Sequence, residues 1–68
     1  MAVYNVISAL PAPNGDQRWM VQGYPTGRTS WTVETESTSD RDQAQRWADS
    51  LNAGVDPVGV QIGMYADD

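Results

Sequence analysis

The stretch Trp31-Thr32-Val33-Glu34-Thr35-Glu36-Ser37-Thr38-Ser39-Asp40-Arg41-Asp42-Gln43-Ala44-Gln45-Arg46-Trp47-Ala48-Asp49-Ser50-Leu51 changes period at its middle. Its first part belongs to a strand predicted over Thr29 to Glu36. Trp31, Val33 and Thr35 fall on one face there, and Thr32, Glu34 and Glu36 on the other. That is the period-two pattern of a strand with one buried and one solvated face. Further on, Ala44, Trp47, Ala48 and Leu51 stand at i, i+3, i+4 and i+7, the apolar stripe of an amphipathic helix. Ser39 is the predicted N-cap, with Asp42 at the third helical position completing a capping-box-like pair. Asp40 and Asp42 suit the positive end of the helix dipole. Asn52-Ala53-Gly54 ends the helix, with Gly54 taking the left-handed position.

Upstream, Ala2 to Leu10 reads as a strand apolar on both faces: Tyr4, Val6 and Leu10 on one, Val3 and Ile7 on the other. Such a strand is expected at the centre of a sheet. Pro11-Ala12-Pro13-Asn14-Gly15-Asp16 is turn chemistry, centred on Asn14-Gly15. Arg18 to Tyr24 forms the returning arm of a hairpin, with Trp19 and Val21 on one face and Arg18, Met20 and Gln22 on the other. Tyr24 to Arg28 makes the next turn. Downstream of the helix, Val55 to Tyr65 contains a last strand whose pairing starts after Pro57, which cannot donate to a ladder. In it, Val58, Val60, Ile62 and Met64 alternate with Gly59, Gln61, Gly63 and Tyr65. Gly59 and Gly63 read as positions of close packing. The fold class is therefore α+β: a small antiparallel sheet in the order β-β-β-α-β, with one helix packed on one face and one domain over residues 1–68. Trp19, Trp31, Trp47, Val33, Leu51 and Ile62 are expected between helix and sheet.

Composition narrows the chemistry. The 68 residues carry nine carboxylates against four basic residues, all arginine, for a formal charge of −5. With no cysteine there are no disulfides, thiolate metal sites or thiol nucleophiles. With no histidine the usual general base and the commonest metal ligand are missing. Without lysine there is neither Schiff-base chemistry nor a phosphate-loop lysine. An enzyme would have to run on carboxylates, hydroxyls, tyrosines and arginines, so the expectation is a non-enzyme with no cofactor and no metal. The charge is opposite in sign to that of nucleic-acid binders, so direct nucleic-acid contact is not expected, nor is binding to an anionic membrane. No apolar run reaches the roughly 18 residues of a membrane span. Met1 to Asn5 lacks the basic start of a secretion signal, and the cytoplasm is the expected location.

Three constellations merit weighing. Glu34 and Glu36 stand about 6.8 Å apart along one strand face, a separation seen in carboxylate pairs of glycosidases. An exposed strand face, however, needs polar residues in any case, and nothing marks either carboxylate as buried. Asp40 and Asp42 resemble a cation site in type, but they lack the glycine and distant glutamate of a calcium loop, and helix capping explains both. Aromatic and arginine side chains are the usual anchors of protein interfaces. Trp19, Tyr24, Arg28 and Tyr65 are the candidates here. The surplus negative charge sits on Glu34, Glu36, Asp56, Asp67 and Asp68. Such a surface keeps a small domain soluble and can also steer it to a basic partner.

The short acidic chain, its β-β-β-α-β order and its acidic positions Glu34, Glu36, Asp56, Asp67 and Asp68 together resemble the small phage-encoded anti-defence proteins, especially anti-CRISPR proteins. The resemblance implies an inhibitor acting in the host cytoplasm, a DNA mimic in some cases. Its target would be a basic, nucleic-acid-binding surface of a CRISPR effector complex, with Glu34, Glu36 and Asp56 pairing with target arginine or lysine. The alternative is a structural or assembly accessory protein of phage or bacterial origin that self-associates through an open sheet edge and the Gly59/Gly63 strand. The chain is expected as a monomer or homodimer.

Overall fold

The computed structural model describes residues 3–24 and 31–66. In chain order they form β1 (Val3–Ala9), β2 (Arg18–Tyr24), β3 (Trp31–Thr35), α1 (Arg41–Asn52) and β4 (Ile62–Ala66). The strands make one antiparallel sheet in sequential order β1-β2-β3-β4, and the helix between β3 and β4 packs on it. The expected α+β architecture is therefore the observed one. Ala2, Thr29 and Ser30, placed at strand ends by the sequence, lie outside the described residues.

The helix lies across β1 and β2. Its stripe of Ala44, Trp47, Ala48 and Leu51 is buried, and it meets Tyr4, Val21 and Val33 from the sheet. Val6, Trp19, Val60 and Ile62 pack around this centre half-buried. Val21 is wholly buried. The core expected at Trp47, Val33 and Leu51 is thus present, with Ile62 and Trp19 at its margin; the side chain of Trp31, expected there too, lies outside what the structure describes.

The helix ends were read unequally well. At the C-terminus, Gly54 takes φ +82°. Its N–H donates to Leu51 O at 3.0 Å, and the Val55 N–H donates to Ser50 O at 2.9 Å. That is the paired closure of a Schellman motif. At the N-terminus, Asp40 replaces Ser39 as the cap. Its Oδ1 accepts from the N–H groups of Asp42 at 3.0 Å and Gln43 at 3.3 Å. The reason lies one residue before Ser39. Thr38 is bridged to Trp19 in the sheet by two backbone hydrogen bonds of 2.7 Å. Its buried hydroxyl accepts the Asp40 N–H at 3.1 Å and donates to Gln43 Oε1 at 2.8 Å. With Thr38 pinned to the sheet, the cap position falls two residues later.

The Thr38 bridge also exposes a bulge. β2 and β3 pair Gln22 with Glu34 and Gly23 with Val33, yet Trp19 meets Thr38, so β3 gains one residue on the way. Thr35 Oγ1 accepts the Val21 N–H at 3.0 Å across the gap. Arg18 straps the bulge, donating from Nε to Ser37 Oγ and from Nη2 to Ser37 O, both at 2.8 Å.

Two strand expectations are corrected. β1 is an edge strand, not a central one. Its apolar inner face is covered by α1, and its outer edge is occupied by a side chain. Asn52 Oδ1 accepts the Tyr4 N–H at 2.9 Å, and Asn52 Nδ2 donates to Tyr4 O at 3.0 Å. One amide at the end of the helix thereby stands in for a neighbouring strand. The last strand begins at Ile62 rather than just after Pro57. Gly59 sits in a left-handed turn at φ +76° with open space around it, so it is a turn residue and not a packing position. Val58, expected in the strand, is 99% exposed. Gly63 does serve packing, because the Tyr65 ring lies over it, with Oη 2.7 Å from where a Cβ would stand.

Candidate functional site

With α1 on one face of the sheet, the other face is left open by every described element. Strand parity puts Met20, Gln22 and Tyr24 of β2 on that face, together with Thr32 and Glu34 of β3 and Gly63 and Tyr65 of β4. The registers set Gln22, Glu34 and Gly63 in one row and pair Thr32 with Tyr65. Continuing the β2–β3 register by one residue brings Tyr24 abreast of Thr32. The two tyrosines therefore flank Thr32, which is buried although it lies on the open face. Full solvation of this face was expected, and Thr32 departs from it.

Beside this row lies a shallow depression of about 210 Å³. Glu34, Glu36, Met20, Gln61 and Tyr65 are among its walls. Glu34 is half-buried and its Oε2 accepts from Gln22 Nε2 at 2.9 Å, which ties the carboxylate to its cross-strand partner on β2. Glu36 has a structural duty as well. Its backbone N–H donates to Gln61 O at 2.9 Å, and its own Oε2 accepts the Gln61 N–H at 2.7 Å, closing the β3–β4 ladder. The hollow is smaller than the roughly 300–1,000 Å³ of small-molecule pockets. It has the size of one inserted side chain. Two carboxylates and a tyrosine on its walls suit a cationic one.

Of the residues singled out from sequence, Glu34, Glu36, Tyr24 and Tyr65 come together on this face. Trp19 does not. It lies on the helix side, half-buried against the core, with the Arg41 guanidinium carbon 5.5 Å from its ring centroid. Asp56 also stands apart, in the loop after α1. It acts on Tyr4 of the helix-side core, whose phenol is pushed above its ordinary value of 10.0 by burial first and by the Asp56 carboxylate second. Arg28, Asp67 and Asp68 lie outside the described residues. Sequence reading missed Met20 and Gln61 as wall residues. Their signal was parity with Glu34, which becomes visible only once the register is known. Among the described residues no group of three or more acidic, histidine or cysteine side chains is placed to hold a metal ion. No helix among them is long and apolar enough to cross a membrane.

A raised phenol pKa means that the folded state binds more protons than the unfolded chain above pH 10. Its contribution to stability is complete below the unfolded value and is lost as pH rises through the folded one. Alkaline titration followed by tryptophan fluorescence is expected to show destabilisation setting in above pH 10. The Tyr4→Phe variant should lose this component. An identical alkaline profile in Tyr4→Phe would remove Tyr4 as its source.

The chain matches no family model, and neither a curated protein sequence nor a solved structure shows significant similarity to it.

Proposed function

We propose that this protein is a binding module that lays its open sheet face on a basic surface of a larger protein and blocks it. The observation that carries this reading is the depression walled by Glu34, Glu36 and Tyr65. A lysine or arginine entering it meets carboxylates on one side and a ring on the other. Interface anchors have this character, with aromatic and charged groups at the centre of the contact. The net charge of −5 adds long-range attraction to a basic target and speeds encounter.

The resemblance to anti-CRISPR proteins names a target class: the nucleic-acid-binding surface of a CRISPR effector complex, met in the cytoplasm of the host. The mechanism proposed here is anchoring more than imitation of a duplex. Two carboxylates per ~6.8 Å of strand are sparse beside DNA, which carries one charge per ~1.7 Å of axis. A DNA-like array would need further carboxylates to join Glu34 and Glu36. The depression alone is enough to seat a basic side chain.

Glu34 is the residue to test, because the Glu36 carboxylate also closes the ladder to Gln61. Immobilised protein is expected to retain its target from a bacterial lysate at low salt and release it at high salt. Against the purified target, Glu34→Lys should slow association by about tenfold or more with the fold unchanged, as expected when an attractive charge becomes repulsive at a steered interface. Affinity that is independent of salt and unchanged in Glu34→Lys would overturn the mechanism. If the retained target is a CRISPR effector complex, loss of its DNA binding on addition of the protein would support the inhibitory role.

A further inference from the structure

The sheet has two edges, and among the described residues only one of them is closed. On β1, Asn52 fills the outward N–H and C=O of Tyr4. On β4 no described side chain does the same. The Glu36 N–H to Gln61 O bond fixes which residues of that segment face β3. By the alternation of an antiparallel ladder, Gly63 and Tyr65 also bond to β3, and Ile62, Met64 and Ala66 turn their N–H and C=O groups outward. The strand Ile62–Ala66 carries no charge and no proline. Charge and proline, two devices that normally blunt an edge, are absent from it.

We propose that the protein forms a two-fold dimer by pairing β4 with β4 of a second copy, antiparallel about Met64. The register follows from the outward groups. Pairing must join even-numbered residues to even-numbered residues, and the one such register that uses all five residues sets Met64 against Met64 and Ile62 against Ala66. It also sets each Tyr65 opposite the other copy's Gly63. Each Tyr65 ring lies along its own strand over its own Gly63, so the two rings pass side by side across the dyad and neither has to cross the seam. This self-complementarity, repeated on both sides of the dyad, favours a second copy over a foreign strand. An uncharged edge also offers no charge by which to select the basic partner that the open face suits.

The net charge of −5 does not forbid the contact. In the strand order β3-β4-β4-β3 the two Glu34 residues are three inter-strand spacings apart and offset by two residues along the strands, about 16 Å in all. That exceeds the Debye length of ~8 Å at physiological salt. Met64 and Tyr65 are 56% and 57% exposed in the single chain, so pairing covers apolar surface that is otherwise wet. A dyad between identical edges closes on itself, and the remaining β1 edges carry Asn52, so growth stops at two copies. The dimer does not depend on the binding role proposed for the open face.

Sedimentation equilibrium from micromolar to millimolar concentration tests it. The expected result is a mass rising from 7.4 kDa toward twice that value. Met64→Pro removes an N–H that β3 does not use, so the fold should persist while the dimer constant weakens by about tenfold or more. Met64→Lys, which keeps the N–H and sets two cations against each other at the dyad, should do the same. The chain has no cysteine, so cross-linking is clean. Met64→Cys should oxidise to a disulfide dimer much faster than Leu10→Cys, since dyad-paired residues stand about 5.5 Å apart at Cα, within disulfide reach. Glu34→Lys should leave the mass unchanged. A strict 7.4 kDa monomer throughout, a dimer untouched by both Met64→Pro and Met64→Lys, or equal cross-linking at Leu10 would each overturn the proposal. Loss of the dimer in Glu34→Lys would overturn it as well, by moving the contact to the open face.

Discussion

Gly23→Ala is expected to abolish the folded state at 25 °C, seen as loss of the cooperative thermal transition. A Cβ at this position would stand against the carbonyl oxygen of Val3, 2.7 Å from Tyr4 Cα and 2.6 Å from Tyr4 Cδ1. Two of those three atoms belong to the backbone of β1, so no rotamer change relieves the clash. Gly23 faces Tyr4 directly in the β1–β2 register, and Tyr4 is held from the other side by both hydrogen bonds of Asn52. For β1 to retreat, that clamp must break and the contact of α1 with β1 must open. Overpacking costs about 1–3 kcal/mol when side chains can adjust, and more when backbone must move. A domain of this length has roughly 3–10 kcal/mol to lose, at ~0.05–0.15 per residue. Gly63→Ala is the informative control, because its new Cβ would meet only the Tyr65 ring, which can swing away. If Gly23→Ala melts like the parent, β1 is not held where the Asn52 clamp places it.

Gly23 also shows where reading from sequence stopped. Its neighbours gave a strand, and parity along Arg18–Tyr24 was read correctly. The need for glycine comes from a residue nineteen positions earlier, through a register that local patterning does not contain. The same limit explains the other differences. The helix stripe of Ala44, Trp47, Ala48 and Leu51 was legible because it depends on spacing alone. Gly54 was legible because a Schellman closure is local. The N-cap moved from Ser39 to Asp40 because Thr38 is bonded to Trp19, again a long-range partner. β1 looked central because both its faces are apolar, yet Asn52, a polar residue at the end of the helix, is what makes an edge position tolerable.

The candidate site divides along the same line. Glu34 and Glu36 were recognisable from alternation, and their shared face is fixed by period two. That Tyr24 and Tyr65 flank the same row depends on β2 and β4 both neighbouring β3, which only the sheet order supplies. Trp19 went to the helix side by the parity already assigned to it. Arg18, its neighbour in the chain, faces the other way and straps Ser37.

Trp47→Ala carries the second large effect, and its form matters as much as its size. Trp47 is 8% exposed and stands at the middle of the stripe that α1 presses on the sheet. Truncating a buried tryptophan costs about 3–5 kcal/mol, a large share of what a 68-residue chain has. At ~4–8 °C per kcal/mol for domains of this size, Tm should fall by more than about 12 °C. Trp47→Phe, which keeps an aromatic ring, should fall by much less. The 12-residue helix cannot persist alone, since isolated helices of that length are marginal in water. Its loss withdraws Asn52 from the edge of β1, so the helix and the strand it protects should fail together. Far-ultraviolet circular dichroism and tryptophan fluorescence are therefore expected to report one coincident transition in Trp47→Ala. A surviving sheet signal after the helix signal has gone would mean that β1 holds its place without Asn52. The coupling between the helix stripe and the sheet edge would then be absent.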